Sequence, residues 1–264
     1  MINNSQHNNS LTSNHFLVKK IKNEISNWSL HSSILCDYEI NHQKNEVFLK
    51  VRDYHMMDLE KIQLLIASFI QETMNSLHKT FLKLSYDNKK DWINEKYIFP
   101  FFLTANEFHL FKKRNSALFS FAVFNKLEAL QPFNLGHNYF NIEVDDTPFL
   151  VLHRFYQTSY DKLPLILHTD TSSVLNNTVI HYYNENDAML NNPPDVLINP
   201  DGFEIGETVS VYRFKSQIKD FMCTASFPIQ ISIRLHDKLQ LPLSHFIEII
   251  QDFTHQTIDF LEST

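Results

Sequence analysis

His168 and Asp170 are the residues of this sequence whose types and spacing best fit a metal site. They belong to a short stretch that predicts a β-strand, and side chains two residues apart on a strand point to the same face. An imidazole and a carboxylate on one face can bind a single Fe(II) ion if a third nitrogen or oxygen completes the set. His236 could supply it, with His181 as the alternative. The pattern therefore predicts a candidate iron site at His168, Asp170 and His236.

The surroundings of this motif resemble the Fe(II)/2-oxoglutarate oxygenases over residues 149–236. The segments that carry the resemblance are Phe149 to Tyr156, Val179 to Asn184, Asn199 to Gly202 and Thr208 to Phe214. It implies an oxygenase with Fe(II) and 2-oxoglutarate as cofactors and the motif residues as ligands.

The order of two later residues departs from that family's pattern. An oxygenase of this kind needs a distal His followed by an Arg that holds the co-substrate carboxylate, whereas His236 comes after Arg234. We therefore prefer a structural role for the motif. In that interpretation Asp170 starts a turn by accepting hydrogen bonds from backbone N–H groups, and His168 is an ordinary strand residue.

Glycine and cysteine usage exclude several other kinds of site. The chain has only three glycines, and it lacks the glycine-rich loops that bind nucleotide phosphates and the elbow that presents a serine nucleophile. Its two cysteines, Cys36 and Cys223, do not form a disulfide framework. Reduced thiols are the favoured interpretation, with a single bridge as the alternative.

Composition predicts an ordinary globular protein. Hydrophobic residues make up 43% of the 264 residues, and we expect most of the 23 Phe in the core. The net charge of −7 disfavours nucleic-acid binding, and the densest basic stretch, Lys112 to Arg114, is short. With no signal peptide and no long apolar run, the sequence predicts a cytoplasmic protein without membrane insertion.

Hydrophobic periodicity predicts an α+β fold with a mixed or antiparallel sheet and amphipathic helices. After a disordered tail (residues 1–13) we expect an N-terminal α+β subdomain (residues 14–95) and a C-terminal one (residues 96–264). The clearest elements are helices at 14–29, 58–77 and 243–261 and a hairpin of strands 35–40 and 47–51.

In the middle of the chain the apolar residues recur less regularly. The sequence favours strands at 97–103, 148–156, 164–168 and 179–183, a short helix at 105–114, a strand or helix at 117–124, a long loop at 184–200, and a hairpin of 208–214 with 228–235.

Residues 49–77 and 233–261 match without a gap at an offset of 184 residues. Shared apolar spacing is common to all amphipathic helices, but it does not explain the match of Asp53 to Asp237 or of Thr73 to Thr257. The pattern predicts an internal duplication of a strand–loop–helix unit, with the Asp at the turn.

Residues Leu235 to Phe246 and the helix that follows resemble the bacterial secretion chaperones, which implies a protein partner. Since the sequence offers no complete catalytic set, our leading hypothesis is a protein-binding module, either an adaptor or a chaperone. The alternatives are the oxygenase described above, or a relative that has lost its site, and a small-molecule binder with a Phe-lined cavity.

Overall fold

The computed structural model describes residues 5–85, 99–135, 147–169, 178–183, 194–199, 204–215, 217–218, 220–236 and 239–263. These residues form seven helices and an eight-stranded sheet, which confirms the predicted α+β fold. The helices are α1 Ser5–His31, α2 Glu60–Lys83, α3 Ala105–Arg114, α4 Phe121–Ala129, α5 Pro132–Leu135, α6 Pro148–Tyr156 and α7 Leu243–Glu262. The strands are β1 Ser33–Asn41, β2 Glu46–His55, β3 Leu165–Thr169, β4 Thr178–Tyr183, β5 Asp195–Ile198, β6 Thr208–Arg213, β7 Asp220–His236 and β8 Leu239–Pro242.

The strands are ordered β3-β7-β1-β2-β6-β5, and β4 and β8 also pair with β7. Strands β1 and β2 form the predicted antiparallel hairpin. Its loop is fixed by Asn41, whose side-chain oxygen accepts hydrogen bonds from the backbone N–H groups of Gln43 and Lys44. Asn45 then adopts a positive φ of 53°, a conformation that Asn tolerates better than most residues.

Alternation along β2 separates a buried face from a polar face. Val47, Leu49 and Val51 are buried, and the residues between them point to the other side. On that side Lys50 pairs with Glu39, and the Arg213 guanidinium lies 2.8 Å from the Glu46 carboxylate. The same alternation continues in β7 from Ala225 to Leu235, except that Ser232 is buried on the other face.

Two expectations about the sheet were wrong. Residues 208–214 and 228–235 do not form a hairpin, because β1 and β2 lie between β6 and β7 in the strand order. The predicted loop at 184–200 contains strand β5, which pairs antiparallel with β6. Residues 184–193 of that loop lie outside the described part of the chain.

The predicted strand at 148–156 is also wrong, since these residues form helix α6. Thr147 caps the helix by accepting a hydrogen bond from the Leu150 N–H, and Pro148 occupies the first turn, where its missing N–H costs nothing. Since one strand of the oxygenase resemblance is a helix, that resemblance loses part of its basis. Residues 99–103, predicted as part of a strand, have no regular structure, and the segment 117–124 becomes a turn followed by α4.

Helices α2 and α7 bury matching faces. At the offset of 184, Ile66, Phe69, Thr73 and Leu77 are buried in α2, and their counterparts Ile250, Phe253, Thr257 and Leu261 are buried in α7. The segments that lead into the helices differ, because β8 precedes α7 and no strand lies between β2 and α2. Asp53 was expected at a turn but lies within β2 opposite Leu35, and Asp237 falls outside the described residues. The duplication therefore stays a prediction.

The chain divides into two units. The helical unit contains Met1–Lys22, Leu59–Pro164 and Ile233–Thr264, and the sheet unit contains Asn23–Asp58 and Leu165–Ser232. Each unit draws segments from both predicted subdomains. Helix α1 begins at Ser5, within the segment predicted as a disordered tail, because an established helix can extend through polar residues at the gain of one hydrogen bond per residue. Among the described helices, none has the length and apolar character needed to cross a membrane.

Candidate functional site

Of the three predicted iron ligands, the structure describes the side chain of His168 alone. Its Nε2 atom lies 2.7 Å from the hydroxyl oxygen of Ser232, and both residues belong to the sheet unit. Asp170 lies outside the described residues. His236 ends β7, and its side chain is likewise not described. The described residues contain no cluster of three or more metal-binding side chains, and the iron site stays a prediction.

A histidine hydrogen-bonded to a serine is also the arrangement that activates a nucleophile. Ser232, however, is only 1% exposed and lies within strand β7. A substrate carbonyl cannot reach a hydroxyl that is enclosed in this way. The pair therefore satisfies a buried hydroxyl group, which is a structural role.

Among the described residues, a concave surface that could hold part of a ligand lies on helix α3, in the helical unit. It is a cleft of about 310 Å³, which we name the α3 cleft. Its lining residues are Phe102, Glu107, Leu110, Phe111, Arg114 and Asn115. The sequence predicted the helix, but it gave no reason to single out these residues as a site.

Local sequence determines both ends of α3. The Thr104 hydroxyl accepts a hydrogen bond from the Glu107 N–H at 3.3 Å and donates one to the Glu107 carboxylate at 3.0 Å. At the other end, the Asn115 side chain donates to the Phe111 carbonyl at 2.9 Å. These contacts satisfy groups that a helix end otherwise leaves without partners. They also engage one carboxylate oxygen of Glu107 and the amide nitrogen of Asn115, two residues that line the cleft.

Packed phenylalanine rings form the floor of the α3 cleft and, through Phe102, one of its walls. The Phe102 ring lies 5.2 Å from that of Phe111 and 5.9 Å from that of Phe108, which is fully buried. Phe111 in turn contacts Phe124 edge-on at 6.2 Å, and Phe108 lies 6.3 Å from Phe133. Rings held by several neighbours have few alternative rotamers, so the floor is preformed rather than induced by a ligand.

Phe102 lies in a segment without regular structure, and the side chain of Gln131 holds this segment in place. The Gln131 amide oxygen accepts from the Phe102 N–H at 2.9 Å. Its amide nitrogen donates to the Pro100 carbonyl at 3.2 Å and to the Leu127 carbonyl at 2.8 Å. Gln131 is fully buried, so its bonds to Pro100 and Leu127 are shielded from water, whereas its bond to the half-buried Phe102 is partly shielded. One side chain at the end of α4 thus positions one wall of the cleft.

The cleft combines exposed apolar surface with an available positive charge. Leu110 is 48% exposed, and the nearby Leu103 is 51% exposed. Lys112 is turned towards α4, where its ammonium group lies 4.8 Å from the Phe121 ring centre and 3.8 Å from the Glu128 carboxylate. Among the described residues, Arg114 forms no ion pair. The cleft can therefore accept an apolar group next to an anion.

A second surface concavity, of about 570 Å³, lies on the polar side of the β1–β2 hairpin. Its lining is mostly polar: Glu39, Ile40, Asn41, His42, Gln43, Phe48, Lys50 and Thr208. The oppositely charged Lys50 and Glu39 of this lining already pair with each other through contacts of their side chains. A ligand would have to displace these contacts, which makes this surface a poorer candidate than the α3 cleft.

The α3 cleft left only a partial signal in the sequence. Thr104 and Glu107, three residues apart before a helix, form a capping pattern, and Lys112 to Arg114 mark the basic end of that helix. Neither signal indicates that Phe102 folds over the helix.

Comparison of the whole chain with known proteins finds no family model, no curated protein and no solved structure that matches it.

Proposed function

We propose that this protein is a protein-binding module, an adaptor or chaperone, that holds an apolar side chain of its partner in the α3 cleft. The observation that carries the proposal is the exposure of Leu110 above a floor of packed phenylalanine rings. Water in contact with this surface is released when a partner covers it, which favours binding. Because the floor is preformed, little conformational entropy is lost on association.

A Phe-lined site for a small molecule is the second candidate, and the lining of the α3 cleft supports it. Small-molecule sites usually enclose about 300–1,000 Å³ and cover most of the ligand. At about 310 Å³ the cleft is at the lower end of that range, and it is open to solvent on one side. A single side chain that projects from a partner fits such a shallow site better than a separate ligand does.

We further propose that the protein acts in the cytoplasm, where its cysteines stay reduced. Both Cys36 and Cys223 are free thiols. Burial is the main cause that raises the pKa of Cys36 to about 12 and the pKa of Cys223 to about 11. Thiols with such high pKa values have little thiolate at neutral pH and are poor nucleophiles, which supports structural roles for both.

A selection from a random peptide library displayed on phage tests the protein-binding proposal. The wild-type protein should enrich peptides with one apolar anchor residue, and Leu110→Gln should abolish their binding because it removes apolar surface from the cleft. Leu64→Gln is the matched control, since Leu64 is 44% exposed on α2 and lies outside the cleft.

The selection has two outcomes that contradict the proposal. Enriched peptides that bind Leu110→Gln as tightly as the wild type would show that the α3 cleft is not the binding site. No enrichment by the wild type, together with saturable binding of a small aromatic probe such as anilinonaphthalene sulfonate that Leu110→Gln abolishes, would favour the small-molecule alternative.

A further inference from the structure

This inference rests on the proposed function and concerns the chemistry of the partner. We infer that the α3 cleft selects an acidic peptide segment, in which a carboxylate lies next to the apolar anchor and pairs with Arg114. Leu110 and Arg114 are four residues apart on α3. Residues at this spacing are neighbours on one face of a helix, so a bound anchor residue at Leu110 brings its own neighbours close to the guanidinium group.

The two charged residues that line the cleft, Glu107 and Arg114, differ in whether other described residues already contact their charged groups. The Glu107 carboxylate accepts a hydrogen bond from the Thr104 hydroxyl and lies in the first turn of α3, where the helix dipole favours negative charge. Arg114 lies in the last turn, and no ion pair with another described residue competes for its N–H donors. The charged group of the lining that no other described side chain engages is thus the Arg114 guanidinium.

Guanidinium chemistry determines which anion fits. The planar group presents parallel N–H donors that match the two oxygens of a carboxylate, and this pairing is directional. A partner with Asp or Glu beside its anchor can therefore use both the apolar floor and Arg114.

The net charge of the chain favours the opposite preference, for basic peptides. A protein with a net charge of −7 attracts basic peptides at long range and repels acidic ones. If overall charge governed binding, a basic segment would be preferred. A preference for acidic segments can arise only from a local cation, so the sign of the preference distinguishes the two causes.

Three fluorescein-labelled peptides of ten residues test the inference by fluorescence anisotropy. All carry the same central Leu-Phe anchor, flanked on both sides by Glu, Gln or Lys. The Glu peptide should bind about three- to fivefold more tightly than the Gln peptide, since a partly exposed ion pair contributes up to about 1 kcal/mol. Arg114→Gln should remove this preference, and Arg114→Glu should shift it to the Lys peptide.

Lys79→Gln is the matched control, because it removes the same charge from an exposed position on α2 outside the cleft. If Lys79→Gln weakens the Glu preference as much as Arg114→Gln does, the preference does not come from Arg114 in the α3 cleft and the inference is wrong. Equal affinity of the wild type for the three peptides also overturns it while leaving the proposed function intact. If Leu110→Gln binds all three as tightly as the wild type, the proposed function itself fails.

Discussion

Gln131 is the residue whose removal should most clearly separate stability of the fold from geometry of the α3 cleft. The substitution Gln131→Leu keeps a side chain of similar size in the same buried position, so it opens no large cavity. It removes the hydrogen bonds to Phe102, Pro100 and Leu127. The segment that forms one wall of the cleft then loses its attachment to α4.

The loss in free energy of unfolding depends on which groups lose their hydrogen-bond partner. A buried polar group left without a hydrogen bond costs about 1–3 kcal/mol. Phe102 is half-buried, so water can replace part of its bond, whereas Pro100 is buried. We therefore expect Gln131→Leu to lower the free energy of unfolding by about 2–5 kcal/mol. The wall formed by Phe102 should also become mobile, which should weaken binding of apolar peptides to the cleft.

Urea denaturation followed by tryptophan fluorescence and circular dichroism measures the stability, and fluorescence anisotropy measures peptide binding. Gln71→Leu is the control, because Gln71 is exposed on α2 and its contacts with Asn75 and Tyr156 are long, at 3.5 Å. That change should alter the free energy of unfolding by less than about 0.5 kcal/mol. If Gln131→Leu is equally neutral, the hydrogen bonds of Gln131 do not hold the wall and the argument for a preformed cleft is refuted.

Two further predictions concern the core and its response to pH. Phe69→Ala and Phe253→Ala should each cost about 3–5 kcal/mol in chemical denaturation, since both side chains are buried; a near-zero change at either position would place that ring at the surface. Burial lowers the pKa of both His78 and His153 below the ordinary 6.5, so the unfolded chain binds protons more readily. The free energy of unfolding should therefore fall as the pH drops below about 6.5 and through the lower pKa values of the folded state. The variant His153→Gln should show a weaker pH dependence than the wild type between pH 7.5 and 5.5, and an unchanged slope would contradict the assignment.

The spacing of apolar residues along the chain was enough to predict those elements in which buried residues recur at a regular interval. Helices α2 and α7 were predicted because their apolar residues recur at helical spacing, and the β1–β2 hairpin because a polar connector separates two alternating segments. The same spacing argument gave a wrong prediction for residues 148–156, which form a helix and not a strand. They are almost continuously apolar, a pattern that suits a buried strand as well as a buried helix. The deciding signal was the Thr147-Pro148 start, which favours a helix.

The remaining features depend on contacts between distant parts of the chain. Nothing in the spacing of β6 and β7 shows that β1 and β2 come between them. The α3 cleft is similar, because Phe102 is positioned by Gln131, 29 residues further along the chain. Sequence reasoning gave the helix that carries Leu110 and Arg114, but not the wall that turns its surface into a cleft.

The short strands at the two ends of the sheet bear on how the protein behaves at high concentration. Among the described residues, the path β3-β7-β1-β2-β6-β5 ends at β3, with five residues, and at β5, with four, and β4 and β8 pair with β7 outside that path. Fibrils of the amyloid type grow from segments of about six or seven residues that combine high β-propensity with low charge. Strand β5 offers a shorter template and places Asp195 opposite Arg213. An incoming strand from another copy would find only about 14 Å of this strand to pair with, next to a charged pair.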